Sequence, residues 1–326
     1  MDNTTTTPAS APTGRLAPSP TGALHIGNVR TFMIAWLRAR SCGGKVVLRM
    51  EDLDHPRDKP GAAAQAVETL RWLGFDWDEE YVQSERREIY RAALEKLVAD
   101  GLAYPCICSR RDVEAAQSAP HDGEQLRYPG TCRDRFRSWD EAFAAKGAVP
   151  CWRFRTPQDS IVEFRDAFAG TFRQDVWESL GDFPLARDVD GAGYTLAVVV
   201  DDAAMGVTEV VRGDDLLAAT PAQILIQRAL GLPTPEYCHV PLVVGPDGRR
   251  LAKRHGDTRI ESYRRSGMAP EELIGRIAAT CGWAKDGERV SLHGLLPRFD
   301  MDAIPRGPVT LGNWWDRRES NPEPTV

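Results

Sequence analysis

The spacing of hydrophobic residues changes along the first 75 residues, and this change predicts alternating strands and helices. A short strand over residues 15–17 ends at Pro18, and apolar residues then recur at helical spacing through residues 25–40. The β-branched stretch at residues 45–50 is typical of a second strand, and a second helix is expected over about residues 60–73. A strand–helix–strand–helix order indicates an α/β fold with a parallel sheet covered by helices.

The alternation stops over residues 105–193. Residues 151–156 and 161–165 within this stretch have the pattern of antiparallel strands, so we interpret it as an insertion between two halves of the sheet. The α/β pattern returns with residues 194–202 and 207–215, a helix near residues 221–230, and residues 239–244. From residue 260 to about residue 281 the pattern is helical again.

Composition narrows the class of protein. Of 326 residues, 42% are hydrophobic and 27% are charged, which excludes a disordered, collagen-like or disulfide-dense chain. No apolar run approaches the roughly 18–20 residues that span a bilayer, and the Thr-rich start is not a secretory signal. The odd count of 7 Cys indicates reduced thiols and a cytoplasmic protein. Because the net charge is −6, a nucleic acid would have to bind a local basic patch.

A turn rich in proline and glycine leads into the first predicted helix. It delivers His25 to the helix N-terminus, where unpaired backbone N–H groups and the positive end of the helix dipole suit a phosphate. Gly22 and Gly27 leave room for a nucleotide to approach the backbone. The alternative is a capped helix start with a satisfied histidine, because short motifs recur by chance.

A second group of basic residues follows the strand-like stretch at 239–244. It spans residues 249–257 and includes Arg250, Lys253 and Arg254. Lysine and arginine on a mobile loop can neutralise the charge that a triphosphate gains in its transition state. The alternative is a solvated basic face.

Six stretches in a fixed order connect these motifs to a known family. They are GRLAPSPTGALHIGNVRT, RMEDLDHPR, WLGFDWDE, YTLAVVVDD, VVRGDDLL and LAKRHGD, between residues 14 and 283. In this order they resemble the glutamyl-tRNA synthetases and their truncated relatives, which are class I aminoacyl-tRNA synthetases. The resemblance implies a split Rossmann-like parallel sheet with a zinc-bearing α/β insertion and a short C-terminal helical segment. The chain departs from the family pattern where Asn28 replaces a histidine and Ala252 a serine.

The resemblance also implies roles for individual residues. It makes His25, Asn28 and Lys253 catalytic, with Mg²⁺ accompanying ATP. ATP would contact a set drawn from both motifs: Pro18, Gly22, His25, Gly27, Asn28, Arg250 and Lys253. L-glutamate would contact residues around the strand ends: Arg15, Leu16, Ala17, Pro18, Ser19, Glu51, Tyr194 and Arg212.

The charges in the glutamate set suit a dicarboxylic amino acid. Glu51 has the sign that binds an ammonium group, whereas Arg15 and Arg212 can each pair bidentately with a carboxylate. Which arginine binds which carboxylate stays open. The alternative is structural, because arginine and glutamate at strand ends often pair with each other.

Three cysteines of the insertion have the spacing of a metal site. Cys106 and Cys108 are followed 24 residues later by Cys132, and three thiolates suit one tetrahedral Zn²⁺ but leave a fourth position to fill. The truncated relatives use a tyrosine, which Tyr128 matches, whereas His121 is the competing ligand on general grounds. Three buried free thiols are the alternative.

The stretch after Arg254 favours one subfamily. It is too short and too rich in proline and glycine for the helical anticodon-binding domain of glutamyl-tRNA synthetases. The chain therefore resembles the glutamyl-Q tRNA(Asp) synthetase family, which activates glutamate with ATP and esterifies it to queuosine at the wobble position of tRNA(Asp). The expected partners are L-glutamate, ATP and tRNA(Asp) containing queuosine, with no membrane, and we expect a monomer. The rival functions are charging of a tRNA 3′ end, small-molecule nucleotidyl transfer and zinc-dependent RNA binding without catalysis.

On this basis the chain divides into six segments. They are a disordered tail (1–13), the first half of the catalytic domain (14–104), the insertion (105–193), the second half (194–256), a helical segment like those that contact a tRNA stem (257–312) and a tail (313–326). Candidate tRNA phosphate contacts are arginines near the insertion: Arg86, Arg87, Arg91, Arg110, Arg111, Arg133 and Arg135.

Overall fold

The computed structural model describes residues 11–53, 58–116, 126–188, 191–245, 247–248 and 258–310. The strands are β1 Thr13–Leu16, β2 Lys45–Met50, β3 Glu79–Val82, β4 Ala103–Cys106, β5 Cys151–Phe154, β6 Ile161–Asp166, β7 Gly170–Asp175, β8 Pro184–Ala186, β9 Glu209–Gly213, β10 Glu236–Val240, β11 Val243–Val244 and β12 Val309–Thr310. The helices are α1 Ile26–Ser41, α2 Ala62–Trp72, α3 Arg87–Ala99, α4 Arg110–Ala116, α5 Trp139–Lys146, α6 Val176–Ser179, α7 Tyr194–Ala204, α8 Thr220–Leu230, α9 Ile260–Arg265 and α10 Pro270–Ala279. No helix in the described ranges is long and apolar enough to cross a membrane.

Parallel strands from two distant parts of the chain form the centre of the fold. In the first part, β2 pairs in parallel with both β1 and β3, and in the second, β10 pairs in parallel with both β9 and β6. The two parts meet between β1 and β9, where the Thr208 N–H donates to the Thr13 carbonyl oxygen at 3.0 Å. The predicted α/β fold with a parallel sheet is therefore confirmed, and its two parts are separated by the long stretch between β3 and β6.

Helix α1 covers the junction between the two halves. Its buried face includes Met33, Ile34, Trp36 and Leu37, which are completely inaccessible to solvent. Burying apolar side chains of this size contributes about 1.5–3 kcal/mol each, so α1 is a major source of cohesion for the sheet. The helix stops before Gly44, where a Cβ atom would lie 2.1 Å from the Pro12 carbonyl oxygen.

Two segments differ from what the sequence pattern suggests. Strand β6, which falls within the predicted insertion, pairs antiparallel with β7 but also in parallel with β10, so it extends the central sheet. The valine-rich residues 194–202 form helix α7, with Leu196 through Asp202 buried. A helix that is apolar on nearly all sides is stable only inside the protein, and packing there overrides the β-propensity of valine.

The insertion also contains a small antiparallel sheet in the order β4-β5-β8. Its Trp152 and Phe154 share a hydrophobic core with Leu196 of α7 and Ile224 of α8. This sheet is therefore packed onto the second half of the central sheet, which fixes the position of the cysteines at the end of β4.

The described residues after 258 pack against the first half of the sheet. Ile274 and Ile277 of α10 belong to the same core as Ile34 and Trp36 of α1. The Arg30 guanidinium, nearly fully buried, donates to Thr280 Oγ1 at 3.1 Å and to the Pro241 carbonyl oxygen at 2.8 Å. The helices after 258 thus complete the core beneath α1, and their contact with a tRNA stem stays a prediction.

Substitution of one glycine in α10 tests this packing. A Cβ atom on Gly275 would lie 1.8 Å from the Glu288 carbonyl oxygen, so Gly275→Ala is expected to lower the free energy of unfolding by about 1–3 kcal/mol. Urea unfolding measures the change. Gly307→Ala is the control, because nothing lies within 4 Å of its Cβ position. Equal stability of the two variants would contradict the described packing.

Candidate active site

A cavity of about 520 Å³ lies where β1 and β9 end and α1 begins. The carboxyl ends of parallel strands are where open α/β sheets bind ligands. Most of the predicted site residues line it: Arg15, Ala17, Pro18, Ser19, Gly22, His25, Gly27, Asn28, Glu51, Tyr194 and Arg212. Leu16 does not, because alternate residues of a strand face opposite sides and its side chain is fully buried in the core. Arg250 and Lys253 lie outside the described residues.

The turn before α1 explains why the first motif has this composition. His25 is the N-cap residue, and its backbone N–H donates to Asn28 Oδ1 at 3.2 Å. A Cβ atom on Gly27 would lie 3.2 Å from the His25 ring, so glycine allows the imidazole to fold back over the first turn. Asn28 therefore has a capping role, the structural alternative of the sequence analysis, and it also faces the cavity.

Described residues on both sides of the second motif lie against the first. The Ile26 N–H donates to the Thr258 carbonyl oxygen at 3.0 Å, and the Ile260 N–H donates to the Leu24 carbonyl oxygen at 2.9 Å. On the other side, Leu242 and Val243 line the cavity. The flanks of residues 249–257 are thus held at the cavity that contains His25, although those residues themselves lie outside the described part.

A buried arginine that sequence reasoning missed connects the charged residues of the site. Arg49 is fully buried at the end of β2, and its guanidinium lies 2.9 Å from a Glu51 carboxylate oxygen and 2.6 Å from an Asp202 carboxylate oxygen. Arg15 lies 3.7 Å from Asp202 and donates to the Val211 carbonyl oxygen at 2.9 Å. Arg15 and Glu51 are therefore each paired, but with other residues and not with each other. The signal that could have revealed Arg49 is a charge within an otherwise apolar strand.

Asp201 forms a second buried centre beside this network. Its carboxylate accepts hydrogen bonds from Gln83 at 2.8 Å, Arg86 at 2.7 Å and the Tyr90 hydroxyl at 2.7 Å. Arg86 is therefore engaged by a buried carboxylate, which weakens its candidacy as a tRNA phosphate contact. Arg133 is engaged in a similar way by Asp182, at 3.0 Å.

Arg212 is held differently from Arg15 and Arg49. Its Nε donates to His239 Nε2 at 3.0 Å, and its Nη2 donates to Thr220 Oγ1 at 2.8 Å and to Gln223 Oε1 at 2.7 Å. All three acceptors are uncharged, and Arg212 has no ion pair among the described residues. Its positive charge therefore faces the cavity without a neutralising carboxylate.

Burial changes the acid–base behaviour of the charged groups at the cavity. It raises the pKa of Glu51, and the nearby Arg49 and Arg15 guanidinium groups only partly oppose this effect. Burial also lowers the pKa of Arg15, which Arg49 and Arg212 lower further while Asp202 acts in the opposite direction. Two guanidinium groups and one carboxylate facing one cavity can bind a zwitterion with an additional negative charge.

A second cavity of about 320 Å³ adjoins the first. The two share Ser19, Thr21, Glu51 and Tyr194, and the second extends towards Arg187. The two cavities therefore adjoin at these four residues.

Lys59 is another residue that sequence reasoning missed. A Cβ atom on Gly22 would lie 3.7 Å from Lys59 Nζ, so an ammonium group lies over the turn that lines the larger cavity. Lys59 lies just before α2 and far from Gly22 in the sequence, so no sequence motif indicates that the two residues are close.

The predicted metal residues lie together in the insertion. Cys106, Cys108 and Cys132 bring their sulfur atoms within 4.8 Å of one another. The Tyr128 hydroxyl oxygen lies 3.3 Å from Cys106 Sγ and 3.6 Å from Cys108 Sγ, and the Cys108 and Cys132 sulfurs are 3.5 Å apart. His121 lies outside the described residues. The cluster could therefore hold a metal ion.

The surroundings of this cluster favour the thiolate form of Cys106, whereas burial raises the pKa of the Cys108 thiol and of the Tyr128 hydroxyl. Arg153 donates to Cys106 Sγ at 3.2 Å and stacks over the Tyr128 ring at 3.8 Å. A hydrogen bond with the Cys151 thiol, together with Tyr128 and Arg153, outweighs burial and lowers the pKa of Cys106 to about 4. The Cys132 N–H also donates to the Tyr128 hydroxyl oxygen at 2.8 Å.

Comparison with known proteins agrees with this geometry. Residues 13–303 match the family model of the catalytic domain of class I tRNA synthetases (E and Q). Together with the split parallel sheet and the cavity at its carboxyl edge, this match defines the protein as a class I aminoacyl-tRNA synthetase.

Individual relatives narrow the family further. The chain is 48% identical over 309 residues to the glutamyl-Q tRNA(Asp) synthetase of Symbiobacterium thermophilum, a match that covers 91% of this chain and 95% of that protein. It is 42% identical to glutamate–tRNA ligase 1 of Acidithiobacillus ferrooxidans, but that match covers 89% of this chain and only 61% of the ligase. The chain belongs to the glutamyl-Q tRNA(Asp) synthetase family.

A solved structure has a similar fold. The crystal structure of a glutamate tRNA ligase from Elizabethkingia meningosepticum, in complex with its amino acid, matches with a TM-score of 0.78 at 28% sequence identity. The match covers 93% of this chain and 67% of that one.

Removal of the Arg49 charge tests the buried network. Arg49→Met is expected to lower the free energy of unfolding by about 3–5 kcal/mol, because it leaves the Glu51 carboxylate without a close partner and the Asp202 carboxylate with the more distant Arg15, at 3.7 Å. Urea unfolding at neutral pH measures the loss. The control is Arg173→Met, which removes an exposed arginine of β7 and should change stability by less than about 0.5 kcal/mol. A similar small effect of both substitutions would contradict the network.

Proposed function

We propose that this chain activates L-glutamate with ATP to glutamyl-adenylate and transfers the glutamyl group to queuosine at the wobble position of tRNA(Asp). The product is glutamyl-queuosine. The observation that carries the proposal is the single cavity in which Arg15, Arg212 and Glu51 lie beside His25 at the N-terminus of α1. A site for a dicarboxylic amino acid next to a site for phosphate is what glutamate activation requires.

In this proposal the amino acid is bound by charge complementarity. Arg15 and Arg212 bind its carboxylates and Glu51 binds its ammonium group. Ser19 and Tyr194 supply hydroxyl groups, and the backbone of residues 16–18 borders the ligand. The arrangement orients the α-carboxylate towards the N-terminus of α1.

ATP occupies the part of the cavity around His25. Its phosphates lie against the backbone of Pro18, Gly22 and Gly27 and against the open N–H groups of α1, with Asn28, Arg250 and Lys253 as further contacts and Mg²⁺ accompanying the nucleotide. A glutamate carboxylate oxygen attacks the α-phosphorus, the bond to the β,γ-phosphates breaks, and pyrophosphate leaves. His25 and Lys253 stabilise the charge that develops, so no covalent intermediate with the protein is needed.

The second step uses the adjoining cavity. A hydroxyl group of the queuosine cyclopentenediol attacks the carbonyl carbon of the adenylate, an ester bond forms, and AMP leaves with its electron pair while its phosphate takes up the hydroxyl proton. The cavity that shares Ser19, Thr21, Glu51 and Tyr194 with the first gives this hydroxyl a route to the carbonyl carbon.

The alternative is a glutamyl-tRNA synthetase that charges a tRNA 3′ end, and the 42% identity to a glutamate–tRNA ligase favours it as second candidate. A small-molecule nucleotidyltransferase is the weaker rival, because it has no need for the glutamate set. Cytoplasmic location and a monomeric state stay predictions.

Two assays test the function. The protein should exchange pyrophosphate into ATP with glutamate in the absence of tRNA, and it should transfer labelled glutamate to tRNA(Asp) only when queuosine is present. Arg15→Ala should abolish exchange by loss of amino-acid binding. Strict dependence of exchange on tRNA, or transfer to a tRNA lacking queuosine, would favour the 3′-charging alternative. Full activity of Arg15→Ala would favour the nucleotidyltransferase.

We further propose that Cys106, Cys108, Cys132 and Tyr128 bind one Zn²⁺. Zinc–sulfur distances near 2.3 Å and zinc–oxygen distances near 2.0–2.2 Å put tetrahedral ligands about 3.5–3.8 Å apart. The 3.6 Å separation between the Tyr128 oxygen and Cys108 Sγ falls within this range, and the 3.3 Å separation from Cys106 Sγ is slightly shorter. When bound, the ion would supply a cross-link that holds the insertion together.

Zinc titration tests this site. Tyr128→Phe keeps the ring but removes the oxygen, so it should weaken zinc affinity by at least about tenfold, measured by competition with a chelator. Cys42→Ser removes an exposed thiol outside the cluster and should leave the affinity unchanged. Unchanged affinity in Tyr128→Phe would mean that another group completes the site.

The raised pKa of Glu51 predicts the pH dependence of glutamate binding. Only the ionised carboxylate of Glu51 binds the ammonium group of the substrate. As the pH falls, the KM for glutamate should therefore begin to rise while the pH is still above 4.5, the ordinary pKa of a glutamate side chain. Glu51→Gln should remove this transition and raise the KM at neutral pH by about 10- to 100-fold. Exchange kinetics from pH 5 to 8 measure both effects, with the exposed Glu163→Gln as control. Identical pH profiles for Glu51→Gln and the wild type would contradict the assignment.

A further inference from the structure

A buried aspartate–histidine pair lies behind the cavity and has no part in the chemistry described above. His239 of β10 and Asp166 at the end of β6 have completely buried side chains, and His239 Nδ1 lies 2.6 Å from Asp166 Oδ2. The other ring nitrogen, Nε2, accepts the hydrogen bond from Arg212 Nε at 3.0 Å. The histidine thus connects an aspartate of the predicted insertion to an arginine that faces the cavity.

The hydrogen bonds fix the ionisation of Asp166. Its carboxylate accepts backbone N–H groups from Phe168 at 2.9 Å, Ala169 at 2.7 Å and His239 at 3.1 Å, in addition to the imidazole. Burial acts to raise the pKa of Asp166, but these hydrogen bonds prevail and lower it. Asp166 is therefore an ionised acceptor.

The same bonds fix the tautomer of His239. Since an ionised carboxylate only accepts, Nδ1 must carry the proton, and since a guanidinium group only donates, Nε2 must be without one. His239 is therefore neutral, and its Nε2 lone pair faces Arg212 Nε at 3.0 Å and Thr220 Oγ1 at 3.1 Å. A proton on Nε2 would place two donors, and two positive charges, against each other.

The uncharged acceptors have an electrostatic consequence for Arg212. Arg15 and Arg49 lie next to carboxylates, whereas Arg212 is oriented by an imidazole, a hydroxyl and an amide. A carboxylate in direct contact with Arg212 would compete with a substrate carboxylate for the same guanidinium group. The imidazole lies between Asp166 and Arg212. Asp166 therefore fixes the orientation of Arg212 through His239 without neutralising the charge of the guanidinium group.

We propose that His239, fixed by Asp166, is a positioning residue that holds Arg212 by a neutral acceptor and so reserves its positive charge for a carboxylate of the amino-acid substrate. This inference rests on the glutamate-binding role proposed above for Arg212. His239 does not line either cavity, so it acts only through Arg212.

Two substitutions of His239 separate its two hydrogen bonds. An asparagine amide reaches the position of Nδ1 and can still donate to Asp166, but it offers Arg212 no acceptor. A glutamine amide reaches the position of Nε2 and can still accept from Arg212, but it loses the bond to Asp166. In tRNA-free pyrophosphate exchange, His239→Asn should raise the KM for glutamate by about 10- to 100-fold, and His239→Gln should raise it less. The KM for ATP should stay within about twofold in both.

A merely structural role predicts the opposite order. Asp166 and His239 connect β6 to β10, so His239→Gln would then be the less stable variant and would also have the larger effect on kinetics. Thermal unfolding of both variants reports stability separately from KM. An equal or larger rise of the glutamate KM in His239→Gln than in His239→Asn would overturn the proposal.

A third variant tests the tautomer without a change of shape. In Asp166→Asn the amide can donate to His239 Nδ1, which moves the imidazole proton to Nε2 and against Arg212. The glutamate KM should rise as in His239→Asn, with little change of the KM for ATP. This near-isosteric variant also serves if a His239 variant fails to fold, and an unchanged glutamate KM in Asp166→Asn would overturn the proposal.

Arg212→Ala distinguishes the glutamate-binding role of Arg212 from the positioning role of His239. An unchanged glutamate KM in Arg212→Ala would contradict the role of Arg212 in the proposed function. A raised KM in Arg212→Ala together with an unchanged KM in His239→Asn would contradict the positioning role of His239 alone.

Discussion

Charges buried at the carboxyl edge of the parallel sheet are the constraint on which the site depends. A guanidinium or carboxylate group removed from water costs several kcal/mol unless an opposite charge or hydrogen bonds compensate it. Arg49 supplies that compensation for Glu51 and Asp202, and Asp202 in turn lies near Arg15. Arg212 is the exception, since only neutral groups hold it. The positive charge of Arg212 is therefore available to pair with a carboxylate of an anionic amino acid.

The fold brings these charges together from distant parts of the chain. Arg49 and Glu51 come from the end of β2, Asp202 from α7 and Arg212 from β9. Helix α1 and the contact between β1 and β9 hold the two halves of the sheet at a fixed distance, so the charges meet without a ligand. Hydrogen bonds from residues 24–26 to 258–260 hold the flank of the second motif at the same cavity.

The sequence was sufficient for the fold class and for the turn around His25, because helix-start and strand patterns are local. The family resemblance also pointed to Arg15, Glu51 and Arg212, which line one cavity, while their binding roles stay predictions. The sequence could not show that Arg49 is paired with Asp202, or that Arg212 is held by His239, because such pairs form between residues far apart in the chain. Helix α7 was missed as a helix for a related reason. Its valines favour a strand locally, and only burial on nearly all sides explains the helix.

The central claim is that Arg15 and Arg212 bind the two carboxylates of glutamate, and that the adenylate formed from it lies at the N-terminus of α1. A crystal structure with a non-hydrolysable glutamyl-adenylate analogue tests it most directly. The account predicts guanidinium nitrogens of Arg15 and Arg212 within hydrogen-bond distance of the ligand's carboxylate and carbonyl oxygens, the ligand ammonium group at Glu51, and the phosphate against the first turn of α1. A ligand bound elsewhere, or one whose side-chain carboxylate contacts neither arginine, would contradict it.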